Sequence, residues 1–196
     1  MPRVDTDSFY RNALERHGHN AEGVHWTSQR SQQVRFEALR RFLPLDLSEL
    51  TLVDVGCGLG DLHRYLVRQG DRPGRYIGID VVAPMVEVAA ERTGCEILQR
   101  DALLDALPGA DIYVCSGAMN TLTRDETELF IRRCFAAATR GFVFNLLKGR
   151  QREGAFNHFM PDDLQPLAAE FEIEPRFAED YLPGDFTVAF LREGSA

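Results

Sequence analysis

The feature that most constrains the fold of this chain is the segment 51–62, which reads TLVDVGCGLGDL. A short apolar run carries an acid, Asp54, near its end, and glycines follow at three alternate positions, Gly56, Gly58 and Gly60. Glycine allows a tight backbone turn and a close approach to a ligand, and a helix that starts there aims unpaired N–H groups at the turn. The pattern predicts a small-molecule site at the carboxyl end of a strand in an open α/β sheet.

Apolar strand patterns alternate with helical patterns from residue 51 onward, which is typical of βαβ units. Strands are predicted at 51–55, 76–80, 95–99, 110–115, 141–147, 171–177 and 186–191, and helices at about 59–69, 83–92, 123–138 and 161–170. The loop at 179–185 is too short for a helical crossover, so the last strand is expected to run antiparallel. The sequence therefore predicts a doubly wound α/β fold with a seven-stranded, mostly parallel sheet and helices on both faces.

Residues 1–50 do not fit the sheet pattern. Apolar residues recur at helical spacing from Ser28 to Leu43, and Pro44 then stops the pattern. A shorter helix is predicted at about 6–16, with a glycine-punctuated loop before the longer one. We expect a helical cap over the carboxyl edge of the sheet, so that 1–196 forms one domain with its core at 51–196.

Composition narrows the class of protein. The chain of 196 residues is 44% hydrophobic and 27% charged, with a net charge of −8, and an acidic body disfavours nucleic acid as a partner. No apolar run approaches the ~20 residues that span a bilayer, and an apolar signal core is absent, so we expect no membrane association and a cytoplasmic location. The isolated cysteines predict reduced thiols and no metal site; they are Cys57, Cys95, Cys115 and Cys134.

The spacing of the glycines separates this loop from two other nucleotide loops. Dinucleotide folds use G-x-G-x-x-G and phosphate loops use G-x-x-x-x-G-K-[ST], whereas this chain has D-x-G-x-G-x-G without a lysine. The segment resembles motif I of the class I S-adenosylmethionine-dependent methyltransferases. The resemblance implies that Asp54 receives the amino group of the cofactor and that Gly56, Cys57, Gly58 and Gly60 pass beneath its methionine part.

Two further acids follow the next two predicted strands. Asp80 ends the second strand, 26 positions after Asp54, where a carboxylate can accept both hydroxyls of a ribose. The resemblance implies that Asp80 binds the ribose, that Val81 or Val82 covers the adenine face, and that Asp101 and Ala102 meet the adenine ring. Taken alone, Asp101 is also a typical helix N-cap.

The methyl-accepting side is less well defined. Ser116 and Gly117 follow the fourth strand and are expected to touch the carboxypropyl end of the cofactor, and the Asn/Asp-Pro-Pro-aromatic run of base-methylating enzymes is missing there. Asn120 either orients the acceptor or caps the next helix. His25 and His158 are the candidate general bases, and the sequence does not choose between them.

The resemblance implies a methyltransferase that uses S-adenosylmethionine and transfers the methyl group by in-line displacement. Because no acceptor motif is recognisable, we expect the acceptor to be a small molecule bound beneath the cap of residues 1–50. A protein or ribosomal RNA acceptor would require the same cofactor site, and a non-catalytic cofactor-binding or partner module is a different alternative. A nicotinamide oxidoreductase shares the fold class but needs the glycine pattern that this chain lacks. Sequence leaves the oligomeric state open.

Overall fold

The computed structural model describes residues 29–151, 154 and 156–194, which form an eight-stranded sheet with helices on both faces. The strands are β1 Thr51–Val55, β2 Arg75–Asp80, β3 Glu96–Gln99, β4 Ala110–Ser116, β5 Ala138–Lys148, β6 His158–Phe159, β7 Arg176–Ala178 and β8 Asp185–Leu191. The helices are α1 Gln29–Arg40, α2 Asp61–Gln69, α3 Ala83–Thr93, α4 Arg124–Ala137 and α5 Gln165–Glu170, with 3₁₀ turns at Ala118–Thr121 and Pro161–Leu164.

The strand order of the sheet is β3-β2-β1-β4-β5-β8-β7. The first five strands pair in parallel, and β8 is antiparallel to both β5 and β7. The predicted fold class, with a final antiparallel strand, is therefore confirmed. The strand order reverses between β1 and β4, and ligands bind open α/β sheets at such a point, beyond the carboxyl ends of the strands.

The sheet has eight strands rather than the predicted seven, and apart from shifts of one to three residues at strand ends it differs from the prediction at two places. The strand predicted at 171–177 is wrong, because β7 covers only Arg176–Ala178 and Phe171 closes the last turn of α5. Phe171 and Ile173 pack against the core from this turn, which explains their apolar pattern. The short strand β6 was not predicted; it pairs with the end of β5, past the Ser116–Asn145 pair that ends the pairing of β4.

Two apolar layers cover the sheet. Helices α1 and α2 bury Phe36, Leu39 and Leu66 against one face, and α4 buries Phe130 and Phe135 against the other. Rings from α4, β5 and β8 contact one another on that second face, with ring-centroid distances from 4.7 to 6.3 Å. Burial on both faces explains why the central strands read as continuous apolar runs.

The expected N-terminal cap falls only partly within the described residues. Helix α1 ends at Arg40, and its Phe36 and Leu39 pack on a face of the sheet rather than over its carboxyl edge. The predicted helix at 6–16 and His25 lie outside the described residues. In the part of the chain that the structure describes, every helix is too short or too polar to cross a bilayer.

Candidate functional site

The glycine turn after β1 has the left-handed backbone that its sequence predicts. Gly56, Gly58 and Gly60 have φ values of +75°, +53° and +75°, a region that favours glycine. The Gly56 and Cys57 N–H groups both donate to the Ile79 carbonyl, at 2.7 and 3.0 Å. The turn is thereby fixed to the end of β2.

The same turn contacts the segment that follows β4. A Cβ atom on Gly56 would lie 2.1 Å from the Cβ of Ala118, so the two backbones approach as closely as glycine permits. Gly117, just before Ala118, has a φ of +86° and begins the 3₁₀ turn. The ends of β1, β2 and β4 therefore meet around one point.

Asp80 joins the glycine turn to the loop after β2. One carboxylate oxygen accepts from the Gly58 N–H at 2.8 Å, and the other accepts from the Val82 N–H at 3.0 Å. The side chain is buried, and burial raises its pKa, while hydrogen bonds from the backbone N–H groups of Val82, Gly58 and Val81 oppose the rise. Each carboxylate oxygen has more than one lone pair, so Asp80 retains acceptor capacity for a ligand.

Asp54 is the second buried carboxylate of the site. The Tyr76 hydroxyl donates to it at 2.6 Å, and both side chains are almost fully buried. Burial is the largest cause that raises the pKa of Asp54 to about 7; the Tyr76 hydrogen bond opposes this, and Asp80 and Asp61 add to it. Asp54 therefore changes charge near neutral pH.

Neither carboxylate has a cationic partner among residues 29–151, 154 and 156–194. Buried carboxylates are normally paired with a cation or saturated with donors, because an isolated buried charge is costly. Two such groups at a glycine turn are typical of a functional site rather than of a structural ion pair. The site is suited to a ligand that brings hydrogen-bond donors and positive charge.

Cys57 and Val81 differ in what they offer a ligand. The Cys57 side chain is buried beneath the turn, where a Cβ on Gly78 would lie 2.8 Å from its Sγ, and the Cys57 carbonyl accepts from the Gly60 N–H. The structure thus turns Cys57 inward. Val81 is partly exposed and packs beside the apolar cluster that includes Leu59.

Asp101 lies in the loop after β3, next to the end of β2. Its carboxylate accepts from the Leu103 N–H at 2.8 Å, and the preceding Arg100 N–H donates to the Asp80 carbonyl at 3.0 Å. Asp101 therefore orders its own turn, as an N-cap residue would. Ala102 is buried, and its carbonyl accepts from the Arg133 guanidinium at 2.7 Å.

Three buried polar atoms in the 3₁₀ turn after β4 and in strand β6 lack a hydrogen-bond partner, in the part of the chain described here. They are Asn120 Oδ1, Thr121 Oγ1 and His158 Nδ1. The Asn157 N–H donates to the Asn120 carbonyl at 2.7 Å, which holds the 3₁₀ turn next to β6. Buried polar groups are usually satisfied, and unsatisfied ones need an explanation.

The alternative interpretation of Asn120 as a helix cap is wrong. Helix α4 is capped by Thr123, whose side chain accepts from the Glu126 N–H, while the Glu126 carboxylate accepts from the Thr123 N–H. This reciprocal pair is a capping box. Asn120 is therefore available for another role, and the structure brings it near His158.

Sequence reasoning missed the polar side chains that support the site. Tyr76, Tyr181, Thr187 and Asp185 were not singled out, although each contributes a hydrogen bond near the carboxyl edge. A signal was present, because Asp185 and Thr187 are polar residues at alternate positions of an otherwise apolar strand.

The chain was compared with known protein families and curated proteins. Residues 52–141 match the family described as a methyltransferase domain. A stretch of 57 residues is 42% identical to 2-phytyl-1,4-naphtoquinone methyltransferase of Thermosynechococcus vestitus. That match includes 27% of this chain and spans about a quarter, 25%, of the relative's length.

Two solved structures share the fold over nearly the whole chain. Magnesium protoporphyrin IX methyltransferase from Synechocystis, solved with bound S-adenosylmethionine, is 14% identical with a TM-score of 0.73, over 98% of this chain and 100% of that one. A methyltransferase from Leishmania major is 18% identical with a TM-score of 0.72, over 94% and 83% of the two chains.

Proposed function

On the premise that this chain belongs to the class I S-adenosylmethionine-dependent methyltransferases, we propose that it transfers a methyl group to a small-molecule acceptor. The observation that carries the proposal is the pair of buried, cation-free carboxylates at the glycine turn, Asp54 and Asp80. S-adenosylmethionine, when bound, supplies a methyl group on a positively charged sulfur, together with an ammonium and two ribose hydroxyls. The ammonium supplies the positive charge, and the hydroxyls supply the hydrogen-bond donors, that the two carboxylates do not find among the described residues.

The described residues fit this cofactor at three levels. Asp54 is assigned to the ammonium and Asp80 to the ribose hydroxyls, because Asp80 already holds Gly58 and Val82 and can accept further hydrogen bonds. Gly56, Gly58 and Gly60 allow the close backbone approach. Asp101, Ala102 and Val81 are assigned to the adenine end, and Ser116 and Gly117 to the methionine end.

The acceptor is assigned to the side of the site that contains Asn120, Thr121 and His158. Their unpartnered polar atoms favour a polar acceptor that hydrogen-bonds to them. His158 is the proposed general base within the described residues, and Asn120 the residue that orients the acceptor. His25, the other candidate base, lies outside those residues.

The residues of this chain act mainly by holding two molecules in line. Such positioning contributes ~7–11 kcal/mol to lowering a barrier. A base at His158 is needed only where the acceptor loses a proton before it attacks.

The charge of the chain favours a small molecule over RNA as the acceptor. The net charge of −8 repels a phosphodiester backbone. Lys148, the first member of a short basic run, is also paired with Glu179 at 2.5 Å. A protein acceptor and a non-catalytic cofactor-binding or partner module are the remaining alternatives.

Turnover of radiolabelled S-adenosylmethionine separates an enzyme from a binding module. The full chain is incubated with phenol, carboxylic acid, amine and thiol acceptors, and S-adenosylhomocysteine formation is measured. Asp80→Ala is expected to weaken cofactor binding by ~1–3 kcal/mol, because charge-assisted hydrogen bonds to the ribose are lost. Asp71→Ala is the control, since Asp71 pairs with Arg40 away from the glycine turn.

Two results would count against the proposal. Unchanged cofactor affinity in Asp80→Ala would remove the ribose assignment. Cofactor binding without turnover of any acceptor class, RNA and protein included, would favour the binding module.

A further inference from the structure

A row of polar side chains crosses the sheet at its carboxyl edge. Ser116, Asn145 and Thr187 are register partners on β4, β5 and β8, so their side chains emerge on the same face. Ser116 Oγ lies 2.8 Å from Asn145 Oδ1, and Asn145 Nδ2 lies 2.6 Å from Thr187 Oγ1. Asn145 and Thr187 are almost fully buried.

The row continues to an ion pair with helix α1. Thr187 Oγ1 lies 2.9 Å from the Tyr181 hydroxyl, which lies 2.6 Å from Asp185 Oδ1. The other carboxylate oxygen of Asp185 accepts from the Arg35 guanidinium. Asp185 is buried, and Arg35 opposes the rise in its pKa that burial causes. A hydrogen-bonded chain thus connects Ser116 with Arg35.

The ion pair determines the direction of every hydrogen bond in this chain. A carboxylate only accepts, so the Tyr181 hydroxyl donates to Asp185 and its oxygen accepts from Thr187. Thr187 has then used its single proton, and it accepts from the Asn145 amide nitrogen. Asn145 therefore turns its carbonyl oxygen toward Ser116.

Ser116 is consequently an acceptor toward any ligand. Its hydroxyl proton is committed to Asn145 Oδ1, and in the described part of the chain no group donates to its oxygen. Asp54 pairs in register with Val114 and therefore emerges on the same face of the sheet as Ser116. Two acceptors, one of them a carboxylate, thus lie at the ends of adjacent strands beside the glycine turn.

We propose that the Arg35–Asp185 ion pair sets the selectivity of this site by fixing Ser116 as a hydrogen-bond acceptor. Ser116 and Asp54 then recognise a cationic donor together, which is the α-ammonium of the cofactor. This inference rests on the proposed function. Arg35, Asp185 and Tyr181 are positioning residues, which act on the ligand only through Ser116.

Breaking the chain far from the ligand is expected to change this selectivity. In Asp185→Asn the new amide donates to the Tyr181 oxygen, the phenol proton turns toward Thr187, and the direction of the chain is no longer fixed. In Tyr181→Phe the Thr187 proton loses its acceptor and turns toward Asn145. Both changes leave Ser116 in position and alter only whether its hydroxyl group donates or accepts a hydrogen bond toward the ligand.

Calorimetry with two ligands tests the inference on the full chain. The probes are S-adenosylhomocysteine and its analogue with hydrogen in place of the α-amino group, and the readout is the dissociation constant of the analogue divided by that of S-adenosylhomocysteine. We expect Ser116→Ala, Asp185→Asn and Tyr181→Phe each to lower that ratio about tenfold, because only the amino-bearing ligand loses a charge-assisted contact. Asp71→Asn, which breaks a different carboxylate–arginine pair on α1, is expected to leave the ratio unchanged.

The outcomes separate this inference from the proposed function. Circular dichroism establishes that each variant is folded, and Tyr181→Phe serves if Asp185→Asn does not fold. Variants that weaken both ligands equally, or leave the ratio unchanged, overturn the inference alone. A wild-type protein that binds neither ligand overturns the proposed function and the inference with it.

Discussion

Replacing Asp54 with asparagine isolates the electrostatics of the site while keeping its shape. Asparagine retains an acceptor for the Tyr76 hydroxyl, which lies 2.6 Å from the carboxylate. Burial raises the pKa of Asp54 from 3.8 to about 7, so at pH 5 to 6 the native state holds a proton that the unfolded chain has released. A carboxyl with a raised folded-state pKa stabilises the fold at low pH and loses that contribution as pH rises through the folded value.

The size of the effect follows from the two pKa values. Each unit of difference corresponds to about 1.4 kcal/mol, so the interval from 3.8 to about 7 gives a total of about 4 kcal/mol. More than a third of this total is already lost when the pH has risen to 5. Between pH 5 and pH 8 the wild type is therefore expected to lose about 2–3 kcal/mol of unfolding free energy relative to Asp54→Asn.

Urea unfolding followed by circular dichroism at pH 5, 6, 7 and 8 measures this difference. Asp71→Asn is the control, because the hydrogen bond from Arg40 lowers the pKa of Asp71 and keeps it ionised throughout the window. Its difference from wild type is expected to be constant. A constant difference for Asp54→Asn as well would refute the reasoning, because it would mean that burial leaves Asp54 ionised at pH 5.

Three further predictions follow from the same geometry. Affinity for S-adenosylhomocysteine is expected to rise up to about tenfold per pH unit below pH 7, because ionised Asp54 accepts the ammonium; equal pH dependence in Asp54→Asn would contradict this. Gly56→Ala is expected to cost ~1–3 kcal/mol in urea unfolding, from a φ of +75° and a Cβ contact of 2.1 Å with Ala118, and Ala118→Gly in the same chain should recover only part of it. His158→Gln is expected to lower turnover of a protic acceptor while calorimetry shows cofactor affinity unchanged; equal turnover would exclude His158 as the base.

The parts of the site that the sequence predicted are those encoded locally. The acid, the three glycines and the start of the following helix lie within the twelve residues 51–62, and Asp80 follows from the rhythm of the strands. Local patterns also fixed the fold class, because apolar runs in a parallel sheet are buried on both faces. At 171–177 the same reasoning was wrong, because Phe171 packs into the core from a turn rather than from a strand.

The remaining parts depend on contacts between residues far apart in the chain. Arg35 and Asp185 are separated by 150 positions, and Asn145 meets Thr187 across 42. The register of β5 and β8 sets the Asn145–Thr187 contact, and the packing of α1 on the sheet sets the Arg35–Asp185 pair; no short motif encodes either. The orientation of Cys57 has a similar origin, because its side chain is buried only where Gly78 of the next strand leaves room.

Binding of S-adenosylhomocysteine to the full chain, measured by titration calorimetry, tests the central claim most directly. We expect one molecule to bind per chain and to be displaced by S-adenosylmethionine. Binding is expected to be strongly weakened in Gly58→Val, because Gly58 has a φ of +53°, which a β-branched residue rarely adopts. Absence of binding by a folded wild-type chain at millimolar ligand, or normal affinity in a folded Gly58→Val, would contradict the assignment of this turn to the cofactor.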